Sequence, residues 1–196
     1  MSKRLVFFDF DGTITTKDSF LEFLKFHKGR LNFLFGFALL SPYLIAMKLR
    51  LIPNWKAKEI VLTYFLKGLG ENEVEQVARE FTTEVIPRLL RPKAIEQIKK
   101  HQENCDDIYL VSASAENWLK SWCDQIGIKL IGTKLEIIDG KITGEIDGNN
   151  CYGQEKVARI KAEINISKYS EIYAYGDSNG DKEMLALADH AHYKYF

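Results

Sequence analysis

The sequence predicts an α/β fold: a doubly wound parallel sheet with an inserted all-helical domain. Three observations predict it. The run "RLVFFDF" at residues 4–10 is short, continuously apolar and rich in Val and Phe, which suits a central strand buried on both faces. A block from about residue 16 to 89 reads helical throughout. The remainder alternates strand and helix, and parallel strands need crossovers that cover both faces of a sheet.

Composition sets the bounds. With 196 residues, 46% of them hydrophobic, the chain is long enough for one packed domain and a large insertion. Its 27 basic residues balance 27 acidic ones, so no net charge draws it to nucleic acid, and any phosphate chemistry must come from local clusters. Cys105, Cys123 and Cys151 show no spacing that suggests zinc or a redox pair, which fits reduced thiols in the cytoplasm. The opening residues lack the apolar length and small-residue exit of a signal peptide, so a cytoplasmic protein is expected.

In chain order, the first strand ends near Asp9. "DSFLEFLKF" then offers Ser19 as a helix cap with Glu22 three residues on, a capping box. Residues 31–47, "LNFLFGFALLSPYLIAM", carry no charge and lie between Arg30 and Lys48. Pro42 interrupts this stretch, which reads as two buried helices meeting at a bend, with a membrane-touching surface as the second reading. Helical patterns continue through "NWKAKEIVLTYFLKGL" and "ENEVEQVAREFTTEVIPRLL", broken at Pro53, at Gly68 to Gly70 and at Pro87. Next come a helix at "RPKAIEQIKKHQEN", a strand at "DIYLVSAS", a helix at "ENWLKSWCDQIG" and a short strand at "KLIGT". "TKLEIIDGKITGEIDGN" reads as a hairpin turning on Asp139 and Gly140. A helix at "GQEKVARIKAEI", a strand at "EIYAYGDS" and a helix at "DKEMLALA" follow. These elements divide the chain into a core of residues 1–15 and 90–196 and a helical cap of residues 16–89.

In an open parallel sheet, ligands bind beyond the carboxyl ends of the strands. Those ends carry Asp9 and Asp11, Ser112, and Asp177 and Asp181 in "GDSNGD". Like charges about 4 Å apart repel by about 4 kcal/mol at an effective dielectric of 20, so such a cluster calls for a cation. Oxygen ligands without His or Cys select a hard ion, and Mg2+ is expected. A phosphate would also need donors. The backbone N–H groups around Gly12, the hydroxyl of Ser112 and the ammonium of Lys156 are candidates, although a lysine on an amphipathic helix more often faces water.

With these residues in place, the chain resembles the haloacid dehalogenase superfamily of phosphohydrolases over its whole length. "DFDGT" matches the first motif, "YLVSAS" the second through Ser112, "EK" the third through Lys156 and "GDSNGD" the fourth, in the family's order. The helical block resembles the C1 cap of the phosphoserine phosphatase-like branch, subfamily IB. The resemblance implies a Rossmann-like core and a magnesium-dependent phosphatase acting on a small soluble phosphate ester through an aspartyl phosphate. It implies Asp9 as nucleophile and Asp11 as general acid and base, with Ser112 and Lys156 holding the phosphoryl oxygens. It implies a metal held by Asp9, Asp177 and the carbonyl of Asp11, with Asp181 as a second acidic ligand or an anchor for Lys156.

The match has departures. Phosphoserine phosphatases carry Ser where Gly12 stands, and a Glu that grips the substrate ammonium where this chain has Asp18. The favoured reading of Asp18 is a residue preceding the Ser19 cap. The fourth motif lacks the usual Asn before Asp181, which leaves that acid's role open. The apolar 31–47 stretch also looks like that of the phosphatidylglycerophosphate phosphatases, which makes a lipid phosphate the alternative substrate and allows peripheral membrane contact.

Other carboxylate chemistries fit less well. Calcium loops fail at Asp9–Phe20 and Asp177–Ala188, which lack the glutamate at the twelfth position. A carbon–halogen hydrolase needs no acid for its leaving group, so Asp11 argues for a phosphate ester. A receiver-like phosphoryl switch, the rival from another functional class, would place its acceptor on a later strand, where this chain has Ser112. His190 and His192 read as surface residues at a strand end.

Overall fold

The computed structural model describes residues 3–196; Met1 and Ser2, which open the expected core segment, lie outside the described residues. The chain runs β1 (Arg4–Phe8), α1 (Ser19–Lys28), α2 (Arg30–Lys48), α3 (Asn54–Leu66), α4 (Glu71–Glu84), α5 (Ile86–Leu89) and α6 (Pro92–Glu103). It continues with β2 (Asp107–Ala115), α7 (Glu116–Ile126), β3 (Lys129–Thr133), β4 (Leu135–Ile138), β5 (Lys141–Ile146), α8 (Gln154–Glu163), β6 (Glu171–Gly176), α9 (Lys182–Leu185) and β7 (His190–Tyr193).

Five strands form one sheet in the order β3-β2-β1-β6-β7, and every pairing in it is parallel. The two-residue period of β1 sends Val6 and Phe8 into one core and Leu5 and Phe7 into the other. The first core is covered by α6, α7 and the helical block, through Ile98, Trp118 and Phe23 among others. The second is covered by α8 and α9, through Ile160 and Met184. Both faces of β1 are therefore buried, as its uninterrupted apolar run requires.

The five helices α1–α5 are joined to the sheet by two neighbouring crossings. Thr15 bridges Leu90 there, Thr16 N donates to Leu89 O at 2.8 Å and Arg91 N donates to Ile14 O at 2.8 Å. The β4–β5 hairpin turns on Asp139 and Gly140 as the sequence indicates, and it packs on the helices. Gly68 N donates to Ile142 O at 2.8 Å, Ile142 N to Leu69 O at 3.0 Å and Glu71 N to Gly140 O at 2.9 Å. Gly144 lies so close to α3 that a side chain on it would meet the Thr63 backbone.

Three sequence expectations are corrected. Residues 31–47 form one helix with Pro42 inside it, instead of two meeting at a bend. Proline cannot donate to the carbonyl of Ala38 four residues back, but the Ser41 hydroxyl donates to that oxygen at 2.7 Å, so the ladder is repaired locally. The stretch is also largely unburied, with only Gly36 and Leu40 inside. The α1 cap is Asp18, whose Oδ1 accepts the Leu21 N–H at 3.0 Å; the Ser19 N–H is taken by Asp11. The helix expected over "DKEMLALA" is confined to Lys182–Leu185 and follows a 3₁₀ turn at Asn179–Asp181. His190 and His192 lie within the edge strand β7, stacked on Tyr173 and Tyr175.

Candidate active site

The carboxyl ends of β1, β2 and β6 open into one crevice of about 410 Å³, roofed by α1–α3. Asp9, Asp11, Ser112, Lys156 and Asp181 all line it. Gly12 and Asp177 meet beside it: a Cβ on Gly12 would lie 2.4 Å from Asp177 Oδ2, and its φ of +85° is one that side-chain-bearing residues rarely adopt. Glycine at position 12 thus leaves room for Asp177.

Lys156, on the first turn of α8, is buried. Its ammonium donates to Asp9 Oδ1 at 2.7 Å, Asp181 Oδ1 at 2.6 Å and Val111 O at 2.6 Å, using all three of its protons. Burial favours its neutral form, but Asp9 and Asp181 outweigh that and hold the amine above its ordinary range. Burial also pushes up the Asp181 carboxyl; Lys156 and Ser178 more than offset it, so Asp181 stays below the usual carboxylate range. Its Oδ2 accepts the Ser178 N–H at 2.9 Å and the Ser178 hydroxyl at 2.7 Å. Desolvation dominates at Asp9, whose carboxyl is pushed up to about 7 despite the neighbouring ammonium.

Asp11 is held at both oxygens. Oδ1 accepts the Ser19 N–H at 2.6 Å and Oδ2 accepts the Ser114 hydroxyl at 2.6 Å, while Ser19 Oγ donates to Ser114 Oγ at 3.0 Å. Burial and the nearby Asp18 charge push Asp11 up to about 6. Ser112 Oγ accepts the Ser114 N–H at 3.0 Å, which fixes the end of β2.

Asp9, Asp177 and Asp181 each bring a carboxylate oxygen within 4.8 Å of the others. Among the described residues Lys156 is the only ammonium bonded to the cluster, so the three carboxylates, once ionised, exceed their one cation by two charges, 3 − 1 = 2. An all-oxygen donor set with surplus negative charge suits a hard divalent cation.

Four further side chains of the site were not read from the sequence. Thr13 donates to Asp177 Oδ1 at 3.3 Å. Ser114 carries a legible signal, since it follows Ser112 by two in a strand and so points to the same side. Lys58, on α3, donates to Ala113 O at 2.6 Å and to the side chain of Asn150 at 2.8 Å, joining roof to floor. Desolvation pulls its amine down to about 8. Nothing in the helical pattern of "NWKAKEIV" separates Lys58 from Lys56, which stays near the surface beside Glu59.

Comparison with known proteins agrees with this arrangement. The haloacid dehalogenase-like hydrolase family model matches residues 6–186. The chain belongs to that family. It is 40% identical over 194 residues to the protein CicA of Caulobacter vibrioides, covering 98% of this chain and 86% of that one. It is 30% identical over 200 residues to a probable phosphatase of Mycobacterium tuberculosis, covering 97% of this chain and 68% of that one. Its fold is similar to a phospho-aspartyl intermediate analogue of phosphoserine phosphatase, with a TM-score of 0.60, 21% identity and coverage of 96% and 84%. The chain is thus an enzyme of this hydrolase family, among its phosphatase-like members, on the expected doubly wound core.

Proposed function

We propose that the chain is a magnesium-dependent phosphomonoester hydrolase of the cytoplasm that works through an aspartyl phosphate on Asp9. The observation that carries this reading is the lysine-centred cluster, in which one buried ammonium bonds the carboxylate of β1 and that of the β6 loop across the mouth of the sheet. Magnesium would be held by the carboxylates of Asp9 and Asp177 and the carbonyl of Asp11, next to Asp181, and would offset charge on the phosphoryl oxygens. Both oxygens of Asp181 are already engaged, which supports its role as the anchor of Lys156.

Asp9 Oδ1 is bonded to Lys156, and an Asp9 oxygen attacks phosphorus, forming the acyl phosphate as the ester P–O bond breaks. Asp11 gives its proton to the departing alkoxide; a carboxyl pushed up to about 6 keeps a usable protonated fraction near neutrality. Water then attacks the acyl phosphate, Asp11 takes that water's proton, and inorganic phosphate leaves. Ser112 and Lys156 hold the phosphoryl oxygens through both steps, with the N–H groups around Gly12 as further donors.

A small phosphate ester suits a crevice of about 410 Å³. A lipid phosphate is the second reading, favoured by the apolar wall that Phe37, Leu44, Met47 and Val61 give the crevice. The test is phosphate release from p-nitrophenyl phosphate with magnesium or with chelator, for the native chain and for Asp9→Asn. Release that needs magnesium and vanishes in Asp9→Asn is expected. Near-native turnover by Asp9→Asn would overturn the mechanism.

A further inference from the structure

The helix α2 is apolar on both sides, and one of those sides is largely exposed to solvent. Its inner stripe, Phe33, Gly36, Phe37, Leu40 and Leu44, packs on the neighbouring helices and walls the crevice. Its outer stripe follows the same helical spacing: Leu31, Leu34, Phe35, Leu39 and Tyr43 are 83%, 53%, 68%, 57% and 51% exposed. Leu49, Leu51 and Trp55 extend the patch beyond the helix, at 65%, 74% and 49%. A helix hydrophobic all round is normally enclosed by protein or lipid, and water is a poor neighbour for so many large side chains on one face.

Charge around the patch selects its partner. Arg30, Lys48 and Arg50 flank it, and none of them forms an ion pair among the described residues. No acidic residue occurs between Glu22 and Glu59, in a chain whose total charge is zero. An apolar face with aromatic residues and an unbalanced basic rim is complementary to an anionic lipid surface. By length and composition α2 is apolar enough to cross a bilayer. Yet a Cβ on Gly36 would lie 2.4 Å from the Phe65 ring, so α2 is packed hard against α3 and its inner face is committed to the crevice. The geometry therefore points to a helix lying in the membrane interface.

We propose that the outer face of α2, with Leu49, Leu51 and Trp55, docks the chain on an anionic lipid bilayer. Resting on the phosphatase reading above, it presents the crevice to phosphomonoesters that carry an apolar tail. The crevice opens on the inner side of the same helix, one helix diameter of about 10 Å from the docked face. Phe37, Leu44 and Met47 line the same crevice as Lys156 and would give such a tail an apolar wall.

The test is flotation of the full chain with vesicles of phosphatidylglycerol and phosphatidylcholine in equal parts, with pure phosphatidylcholine, and with the anionic vesicles at high salt. The variant is L31E together with F35E, both at exposed positions outside the crevice. Binding to anionic vesicles that weakens about tenfold or more in the variant, and weakens in salt, is expected, with p-nitrophenyl phosphate hydrolysis unchanged. The native chain should also release phosphate from phosphatidate in such vesicles faster than the variant does. A native chain that stays in solution with anionic vesicles overturns the proposal, as does binding indifferent to the variant. Sedimentation as a dimer that the variant dissociates, without vesicle binding, also overturns it and assigns the face to a second copy. Vesicle binding without hydrolysis of any ester leaves the docking in place and sinks the hydrolase reading instead.

Discussion

The hydroxyl of Ser114 donates to Oδ2 of Asp11 at 2.6 Å, so the acid at the end of β1 is held by a residue of the neighbouring strand. That bond lowers the Asp11 pKa against the stronger upward effect of burial. Ser114→Ala removes it and should raise the Asp11 pKa above about 6. A hydrogen bond to a charged group contributes about 1.5–3 kcal/mol, so kcat/KM should fall about 10- to 100-fold. The alkaline limb of the kcat/KM profile, where Asp11 loses the proton it gives the leaving group, should move to higher pH, with partial rescue by Ser114→Thr. An unmoved profile would mean that Ser114 only packs.

Asp9 and Asp11 also make stability depend on pH. Their folded values, about 7 and about 6, lie above the ordinary 3.8, so between these limits the folded state binds more protons than the unfolded one. Their contribution is therefore complete below 3.8 and is lost as pH rises through the folded values. Metal-free protein should lose about 2 kcal/mol or more between about pH 5 and about pH 8. Asp181, held below 3.8, titrates outside that window. Added magnesium should raise Tm most at the alkaline end, where the carboxylates are ionised. Melting curves across pH, with magnesium and with chelator, read this directly; a metal-free Tm that climbs with pH would contradict it.

Lys58 reaches from α3 to Ala113 and Asn150 at the crevice wall. Lys58→Met keeps the stem's packing and removes the charge and both bonds. KM for an anionic ester should rise about tenfold while kcat changes less, since Lys58 is hydrogen-bonded to Ala113 and Asn150 and acts on Asp11 only through its charge. Steady-state kinetics separate the two, and a kcat effect larger than the KM effect would count against this role.

Gly36 sits where α2 crosses α3, and a Cβ there would come within 2.4 Å of the Phe65 ring and 2.6 Å of the Tyr64 ring. Gly36→Leu should cost about 1–3 kcal/mol through overpacking, or roughly 2–4 °C of Tm per kcal/mol. Gly70→Ala is the control: nothing lies within 4 Å and its φ is −65°, so it should be near neutral. Equal effects in thermal melts would show that the crossing is not tight.

How far these features could be read from the sequence follows from where their causes lie. The succession of strands and helices and the candidate site residues have local signals: an apolar run ending in Asp9, strand ends carrying Ser112 and Asp177, and a turn at Asp139; the order of strands in the sheet has none. The burial of Lys156 has no local signal, because it is the fold that brings its ammonium to Asp9, Val111 and Asp181. Pro42 misled, since the rescue of the Ala38 carbonyl by Ser41 depends on a rotamer that composition does not encode. Ser19 misled as well: its N–H belongs to Asp11, a partner eight residues back, and Asp18 caps the helix in its place. Lys58 could not be seen, because its role is set by contacts with Ala113 and Asn150, far along the chain.

The pairing of Thr15 with Leu90 gives α1–α5 one shared doorway, an arrangement that would ordinarily let related sequences trade the whole block. The hairpin forbids a free trade. Ile142 is bonded to Gly68 and Leu69, and Gly144 has no room for a side chain against Thr63, so Leu135–Ile146 is fitted to the particular helices it meets. A graft that moves residues 16–89 between relatives and leaves the hairpin behind would set mismatched edges together, so the two segments form one fitted unit although residues 90–134 separate them.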